Sequence, residues 1–440
     1  MTEIRVGLLG LGTIGTGVAR ILLEQQELMT RRLGKTVRLV AAADRNLEAD
    51  RGLDLSGVRL TDDANAIVTA DDIDLVVELI GGYEPARTFV ATALEHGKHV
   101  VTANKALVAK HGEELFPLAA EKGVAMGFEA AVGGGIPCLK ALREGCAANA
   151  VESVYGILNG TCNFILTKME NEGADYADVL KEAQELGYAE ADPTFDVEGI
   201  DTAHKLSILA AMAYGSKIKF DEVFTEGISK ITASDITTAA EMGYRIKLLG
   251  IAKPHLNDGV ETVEMRVHPT LVPADSQLAQ VSDSYNAVQV SGDFVEHTMY
   301  FGRGAGERPT ASAVVADIMD IARVIPGGLA YLAPPMGFVA DARRALDTLP
   351  VADIECEYYL RLMVQDQPGV IASVTSILAD HRISLEALSQ KERNESRAVP
   401  IVMLTHRTTE GNLQAAISRI IGLDAVEEDV LILRKESAVA

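Results

Sequence analysis

The run Ile4-Arg5-Val6-Gly7-Leu8-Leu9, followed at once by Gly10-Leu11-Gly12-Thr13-Ile14-Gly15, limits the fold more than any other stretch of the chain. An apolar strand that turns through spaced glycines into a helical pattern, here Thr16 to Glu27, is a dinucleotide-binding fingerprint. Gly10 permits the tight turn, Gly12 lets a pyrophosphate reach the backbone, and Gly15 lets helix and strand pack closely. With these glycines, Thr13 and Ile14 at the helix start are candidate cofactor contacts, because N–H groups there favour an anion.

The second strand, Val37 to Ala43, ends at Asp44-Arg45. An acidic residue at this point takes the ribose 2′-hydroxyl of NAD, whereas an arginine accepts the 2′-phosphate of NADP. Both are present, which leaves the choice open and leads us to expect dual use with a lean to NADP. Strand-like runs at 73–80 and 99–102 alternate with helical ones, so the sheet is expected to be parallel and doubly wound. Ligands of such sheets bind beyond the carboxyl ends of the strands. Lys105, after His99-Val100-Val101-Thr102, falls where nicotinamide and substrate should meet.

At 440 residues the chain exceeds what one core usually organises, so two or three domains are expected. A formal net charge of −23 argues against a nucleic-acid or anionic-membrane partner. No apolar run approaches the roughly 20 residues of a membrane helix, and no secretory signal opens the chain. Cys138, Cys146, Cys162 and Cys356 form no CxxC pair, and a reducing cytoplasm is the expectation.

A second constellation lies at Gly187-Tyr188-Ala189-Glu190-Ala191-Asp192-Pro193-Thr194-Phe195-Asp196, which runs into a helix expected over 197–214 with Asp196 as its cap. Asp201 and Lys205 lie four residues apart on one face of that helix. Such a face can hold a small polar substrate, or be a plain surface ion pair. Strand-like segments at 151–158, 261–268, 287–291 and 298–301 complete an α+β domain. Between the two regions, Glu129 and the glycines 133–135 suit a hard cation bound by oxygens, or a flexible loop between domains. A thiolate at Cys162 would instead make an acylating enzyme, which needs a base nearby; the Lys/Asp/Glu constellation fits simple hydride transfer better. His204 points to another helix face and reads as structural. From Glu357 a further module reads βαββαβ.

GLGTIG at 10–15, GKHVVTANKALVAKHG at 97–112, NGTCNFIL at 159–166, GYAEADPTFDVEGIDTAHK at 187–205 and GRGAGERPTASAVVADI at 302–318 together resemble homoserine dehydrogenase over essentially the whole chain. Cys162 departs from the threonine common in that family. The resemblance implies NAD(P)-dependent interconversion of L-homoserine and L-aspartate 4-semialdehyde on the route to threonine and methionine. It makes Lys205 the proton donor, with Lys105 and Asp201 in the same pocket. Gly187, Glu190, Asp196 and Asp201 become substrate contacts, and Gly187 and Gly302 join Gly10, Gly12, Thr13, Ile14, Gly15, Asp44, Arg45 and Lys105 at the cofactor. Glu129 with Val132, Gly134 and Ile136 matches the family's sodium site. The lysine's chemistry calls for partial desolvation and a lowered pKa.

The last module, with Asp366-Gln367-Pro368-Gly369-Val370, resembles an ACT domain, a ferredoxin-like regulatory fold. Asp366, Gly369 and Val370 become candidate contacts for L-threonine, unless the module only joins subunits. The expected layout is a Rossmann-type NAD(P) domain at 1–137 plus about 302–345, an α+β substrate and dimerisation domain at 138–301, and an ACT domain at 354–440. A homodimer or homotetramer is expected. With no kinase-like segment ahead of the fingerprint the chain is expected to be monofunctional. A catalytically silent amino-acid sensor that keeps nucleotide binding is the rival reading.

Overall fold

The computed structural model describes residues 3–325, 333–390, 398–426 and 430–437, so parts of the expected 302–345 and 354–440 segments lie outside the described residues. The chain divides into two units, one of residues 1–160, 203–223 and 285–346, the other of 161–202, 224–284 and 347–440.

The first unit contains β1 (Glu3–Leu9), β2 (Thr36–Ala43), β3 (Arg59–Thr61), β4 (Leu75–Glu78), β5 (His99–Thr102), β6 (Met126–Gly127) and β7 (Val151–Ile157), and later β11 (Tyr285–Gly292) and β12 (Glu296–Arg303). The first six form one parallel sheet in the order β3-β2-β1-β4-β5-β6. This is the doubly wound order, whose direction reverses between β1 and β4 and opens a crevice at their carboxyl ends. The expected α/β fold holds. Apolar residues alternate with the strand period, so Ile4, Val6 and Leu8 pack into one core with Val18 and Leu22 of the helix Thr13–Glu24. Helix Glu307–Val324 completes that core with Ala311, Val314 and Ile318. Its approach is close enough that a Cβ at Gly17 would lie 2.7 Å from the Glu307 side chain. β7, β11 and β12 form an antiparallel strip of the same unit.

The second unit holds β8 (Phe224–Thr225), β9 (Tyr244–Asn257), β10 (Val260–Pro273), β13 (Asp347–Thr348), β14 (Glu355–Gln365), β15 (Leu385–Ser389), β16 (Ala398–Thr405), β17 (Thr408–Thr409) and β18 (Leu431–Lys435). β9 and β10 pair as a long hairpin. The terminal module follows the expected βαββαβ order, with helices Val370–Asp380 and Glu410–Ile421 over a sheet β18-β14-β16-β15. Its apolar core is its own, from Leu349 to Leu433. Yet its edge strand β18 pairs in parallel with β10, Thr270 opposite Arg434, so the substrate hairpin and the terminal sheet are continuous.

The single helix expected over 197–214 is instead two, Thr194–Val197 and Ile200–Tyr214. Gly199 between them has φ +80°, and a Cβ there would lie 2.9 Å from Val267 of β10. Gly199 ends the first piece by leaving the helical φ range where the chain packs closely against that strand, and Asp196 lies inside the first piece rather than capping the second.

Candidate active site

The fingerprint loop has the geometry its glycines require. Gly10 has φ +95°, and its N–H donates to the Ala43 carbonyl at 2.8 Å. A Cβ at Gly15 would stand 1.9 Å from the Gly10 oxygen, whereas one at Gly12 would meet nothing within 4 Å. The first is a packing requirement and the second leaves open space before a helix whose first turn holds no acidic side chain. That combination fits a pyrophosphate. Asp44, at the end of β2, accepts from the Leu11 N–H at 2.7 Å and from the Asn46 N–H at 2.9 Å. Burial opposes its charge, but those donors with Arg51 and Arg45 hold its carboxyl below the ordinary value. Arg45 is exposed, while Arg51 is spent on the Leu11 and Asn46 carbonyls and on Asp44. Arg51 escaped the sequence reading, because only the folded loop brings it back to Leu11.

At the carboxyl ends of β4 and β5 a hydrogen-bond chain runs toward Lys105. Fully buried Glu78 accepts from the Ile80 and Gly81 N–H groups at 2.8 and 3.0 Å and from the Thr102 hydroxyl at 2.6 Å. Thr102 Oγ1 in turn accepts from the Asn104 N–H at 2.9 Å. Asn104 caps helix Lys105–Glu121 by accepting from the Leu107 N–H, and its amide donates to the Gly82 carbonyl at 2.7 Å. Because a carboxylate only accepts, the direction of every bond in this chain is fixed. Glu78, Thr102 and Asn104 form a buried network beside Lys105 that sequence reasoning passed over. Their signal was a buried polar residue at a strand's carboxyl end.

Lys205 is 8 % exposed and donates from Nζ to the Leu158 carbonyl at 2.6 Å, just past β7. Desolvation of the lysine is as expected. The neighbouring His204 is buried, stacked on Phe220 with centroids 3.8 Å apart, and hydrogen-bonded to the Tyr83 hydroxyl at 3.1 Å, which suits a structural part. Asp201 lies one turn before Lys205 on helix Ile200–Tyr214 and is buried.

In the second unit the acid segment hangs on its backbone. Gly187 has φ +75°, and the Tyr188 and Ala189 N–H groups both donate to the Ala183 carbonyl. The Thr161 hydroxyl donates to the Tyr188 carbonyl at 2.7 Å and the Cys162 thiol to the Asp196 carbonyl at 3.2 Å. A buried thiol spent on a carbonyl makes a poor nucleophile, which removes the acylating alternative. Glu190 is exposed and Asp196 half-buried.

Glu129 is 2 % exposed; its two carboxylate oxygens accept from the Leu139 and Lys140 N–H groups at 3.0 and 2.9 Å. Burial, then Asp317, pushes its carboxyl up to about 7 against the pull of Lys140 and Arg143. Among the described residues no cluster of three or more His, Cys, Asp or Glu side chains could hold a metal. Of the expected sodium ligands, the Val132 carbonyl accepts from the Cys138 thiol at 3.3 Å and the Ile136 carbonyl from the Cys138 N–H at 2.7 Å. Gly302 lies beside Ile136, 3.3 Å from its side chain for a Cβ built there. A cavity of about 790 Å³ in the first unit, lined by Phe116, Met126, Asp317 and Ile321, touches neither Lys105 nor Lys205. In the terminal module Asp366, Gly369 and Val370 line a cavity of about 170 Å³ with Gln390 and Ile401.

Among the described residues no helix is long and apolar enough to cross a membrane. Family models match at residues 10–129 (homoserine dehydrogenase, NAD binding domain), 137–319 (homoserine dehydrogenase) and 358–424 (ACT domain). The chain is 47 % identical to a homoserine dehydrogenase of Neisseria gonorrhoeae over 437 residues, 99 % of each chain. It is equally identical to that of Pseudomonas aeruginosa over 439 residues, again 99 % of each. The crystal structure of a homoserine dehydrogenase from Thiobacillus denitrificans superposes with a TM-score of 0.93 at 51 % identity, covering 99 % of both chains.

Proposed function

The chain belongs to the homoserine dehydrogenase family and is an oxidoreductase, and from that premise we propose that it interconverts L-homoserine and L-aspartate 4-semialdehyde with Lys205 as the proton-transfer group. When bound at the fingerprint, a nicotinamide cofactor supplies or accepts the hydride. In reduction, negative charge gathers on the aldehyde oxygen, and the Lys205 ammonium stabilises and then protonates it. In oxidation the same amine takes the hydroxyl proton. Lys105 and Asp201 act with it, Glu190 offers the counter-charge to the substrate ammonium, and Asp196 and the Gly187 backbone complete the substrate contacts. The observation that carries this reading is the buried Lys205 ammonium held on the Leu158 carbonyl.

The test is a homoserine-dependent absorbance assay with NAD and with NADP, run on the parent and on Lys205→Ala. General acid–base groups contribute about 10²–10⁴-fold, so the variant should lose that much turnover and keep cofactor binding. Near-normal turnover refutes Lys205. A parent that binds nucleotide but turns over nothing is the silent sensor.

Three finer parts belong to the same proposal. Exposed Arg45 beside the tied Asp44 favours NADP without excluding NAD. Sodium at Glu129, Val132, Gly134 and Ile136 would relieve the carboxyl that burial leaves raised. L-threonine, the expected end product, would act at the Asp366–Val370 loop: an Asp366→Ala variant of the full chain should lose its inhibition. An unchanged midpoint would mean competition at Glu190 and a terminal module for assembly only. We assign the modules as 1–137 with about 302–345, 138–301 and 354–440. The four cysteines are buried and free of disulfides, which favours a reducing cytoplasm.

A further inference from the structure

The buried charges of the second unit include one group that substrate chemistry does not use and that the terminal module provides. Arg434, in the edge strand β18, is 1 % exposed. Its guanidinium forks onto Glu410 of its own module at 2.8 and 2.9 Å. The remaining side of the fork leaves the module: it reaches Glu226 at 2.5 Å and lies over the Phe224 ring, 4.8 Å from its centroid. Phe224 begins β8 and Glu226 directly follows it, so one side chain of the terminal module grips that segment by a ring and a carboxylate.

What β8 holds in turn is the substrate segment. β8 pairs with β10 at Arg266 and Val267, and the Glu226 N–H donates to the Val267 carbonyl at 2.8 Å. Gly227 packs so closely that a Cβ there would stand 2.5 Å from the Val197 carbonyl and 2.4 Å from Glu198. The Ile228 N–H then donates to the Val197 carbonyl at 2.9 Å, and Gly199 rests on Thr225 and Val267. Asp196 and Asp201 stand on either side of this anchored stretch. On its other side the Thr161 hydroxyl and the Cys162 thiol donate to the Tyr188 and Asp196 carbonyls.

We infer that Arg434 is a positioning residue for substrate: through Glu226 and Phe224 it fixes segment 196–201, so that the terminal module sets the geometry of homoserine recognition even with no effector bound. The inference rests on the reading of that segment as the substrate site. A bidentate fork restricts both distance and angle, and a displacement of about 1 Å in a substrate contact is enough to change binding measurably.

Glu226→Gln in the full-length protein is the direct test, since Glu226 is half-exposed and its replacement leaves Arg434 paired with Glu410. The homoserine KM should rise roughly threefold to tenfold, with kcat, cofactor KM and melting temperature near the parent's. Gly227→Ala should raise the same KM, because its Cβ collides with the Val197 carbonyl. Arg434→Lys, which keeps the charge but removes the fork, should show a smaller rise that is not additive with Glu226→Gln. Glu190→Gln runs beside them as the control on the substrate reading. A raised KM in Glu190→Gln with a parental KM in Glu226→Gln overturns the positioning inference alone. A parental KM in Glu190→Gln overturns the substrate reading and the inference with it. A uniform fall in kcat with a lowered melting temperature in Glu226→Gln reduces the contact to a structural one and also overturns it.

Discussion

The cofactor end of the first unit and the acid segment of the second are built on opposite plans. Around Glu78, Thr102 and Asn104 the polar side chains are buried and every hydrogen bond between them is directed, so that Lys105 starts a helix from a fixed point. In the acid segment Glu190 is exposed, and what is fixed is backbone, through Ala183, Thr161, Cys162 and Ile228. Under the proposed function the difference separates how the two ligands are read. A dinucleotide offers phosphates and an amide that a preformed rigid edge can read, whereas a small amino acid is read by a few side chains whose accuracy depends on what holds the backbone beneath them.

The sharpest way to break this contrast is at Glu78. Glu78→Gln replaces a pure acceptor with a group that must donate on one side, which turns the Thr102 hydroxyl around and leaves a buried donor unpaired. Cofactor KM should rise and kcat fall, together about 10–100-fold, while the homoserine KM moves little. If homoserine KM alone changes, the two ends are not separate. A smaller effect is expected at Glu190. Glu190→Gln should raise the homoserine KM about tenfold, because a neutral amide gives the substrate ammonium a weaker hydrogen bond than a carboxylate does, and it should spare nucleotide binding measured by fluorescence. Smaller again is Arg45→Ala, which should weaken NADP by roughly fivefold and leave NAD unchanged, because only NADP carries the 2′-phosphate that the guanidinium can pair with. Equal weakening of both cofactors would remove Arg45 from the site.

The smallest expected effect concerns stability, and it sets Glu129 against Glu264. Both are buried carboxylates. Burial would raise Glu264, but Arg266, His255 and Lys253 hold it at about 2, whereas Glu129 stands at about 7 through burial and Asp317. A carboxyl whose folded pKa is raised binds its proton more tightly folded than unfolded, so its contribution is present at low pH and disappears as pH rises from about 4.5 through about 7. Without sodium the melting temperature should therefore fall between roughly pH 5 and pH 8, by on the order of 2–4 °C per kcal/mol. Sodium chloride, but not choline chloride, should reduce the fall. Glu264 contributes in the opposite sense, its stabilisation being present above about 4.5 and lost as pH falls from there through about 2, below this window. A flat profile in both salts would show that Glu129 is already compensated.

By itself the sequence determined the parallel dinucleotide fold, the terminal βαββαβ module and the identity of Lys105, Lys205, Asp201 and Glu190 as candidates. Those signals are local: spaced glycines between a strand and a helix, alternating apolar periods, and an acid run next to a helix. Only the tertiary structure placed the break of the helix at 197 against Val267 of a distant strand, where Gly199 has no room for a side chain. It alone tied Arg51 to Leu11 across 40 positions and Arg434 to Glu226 across 208. Such pairings leave no periodic trace, because an arginine that will be buried against a carboxylate reads in the chain like any solvated one until the strands that carry the two are packed together.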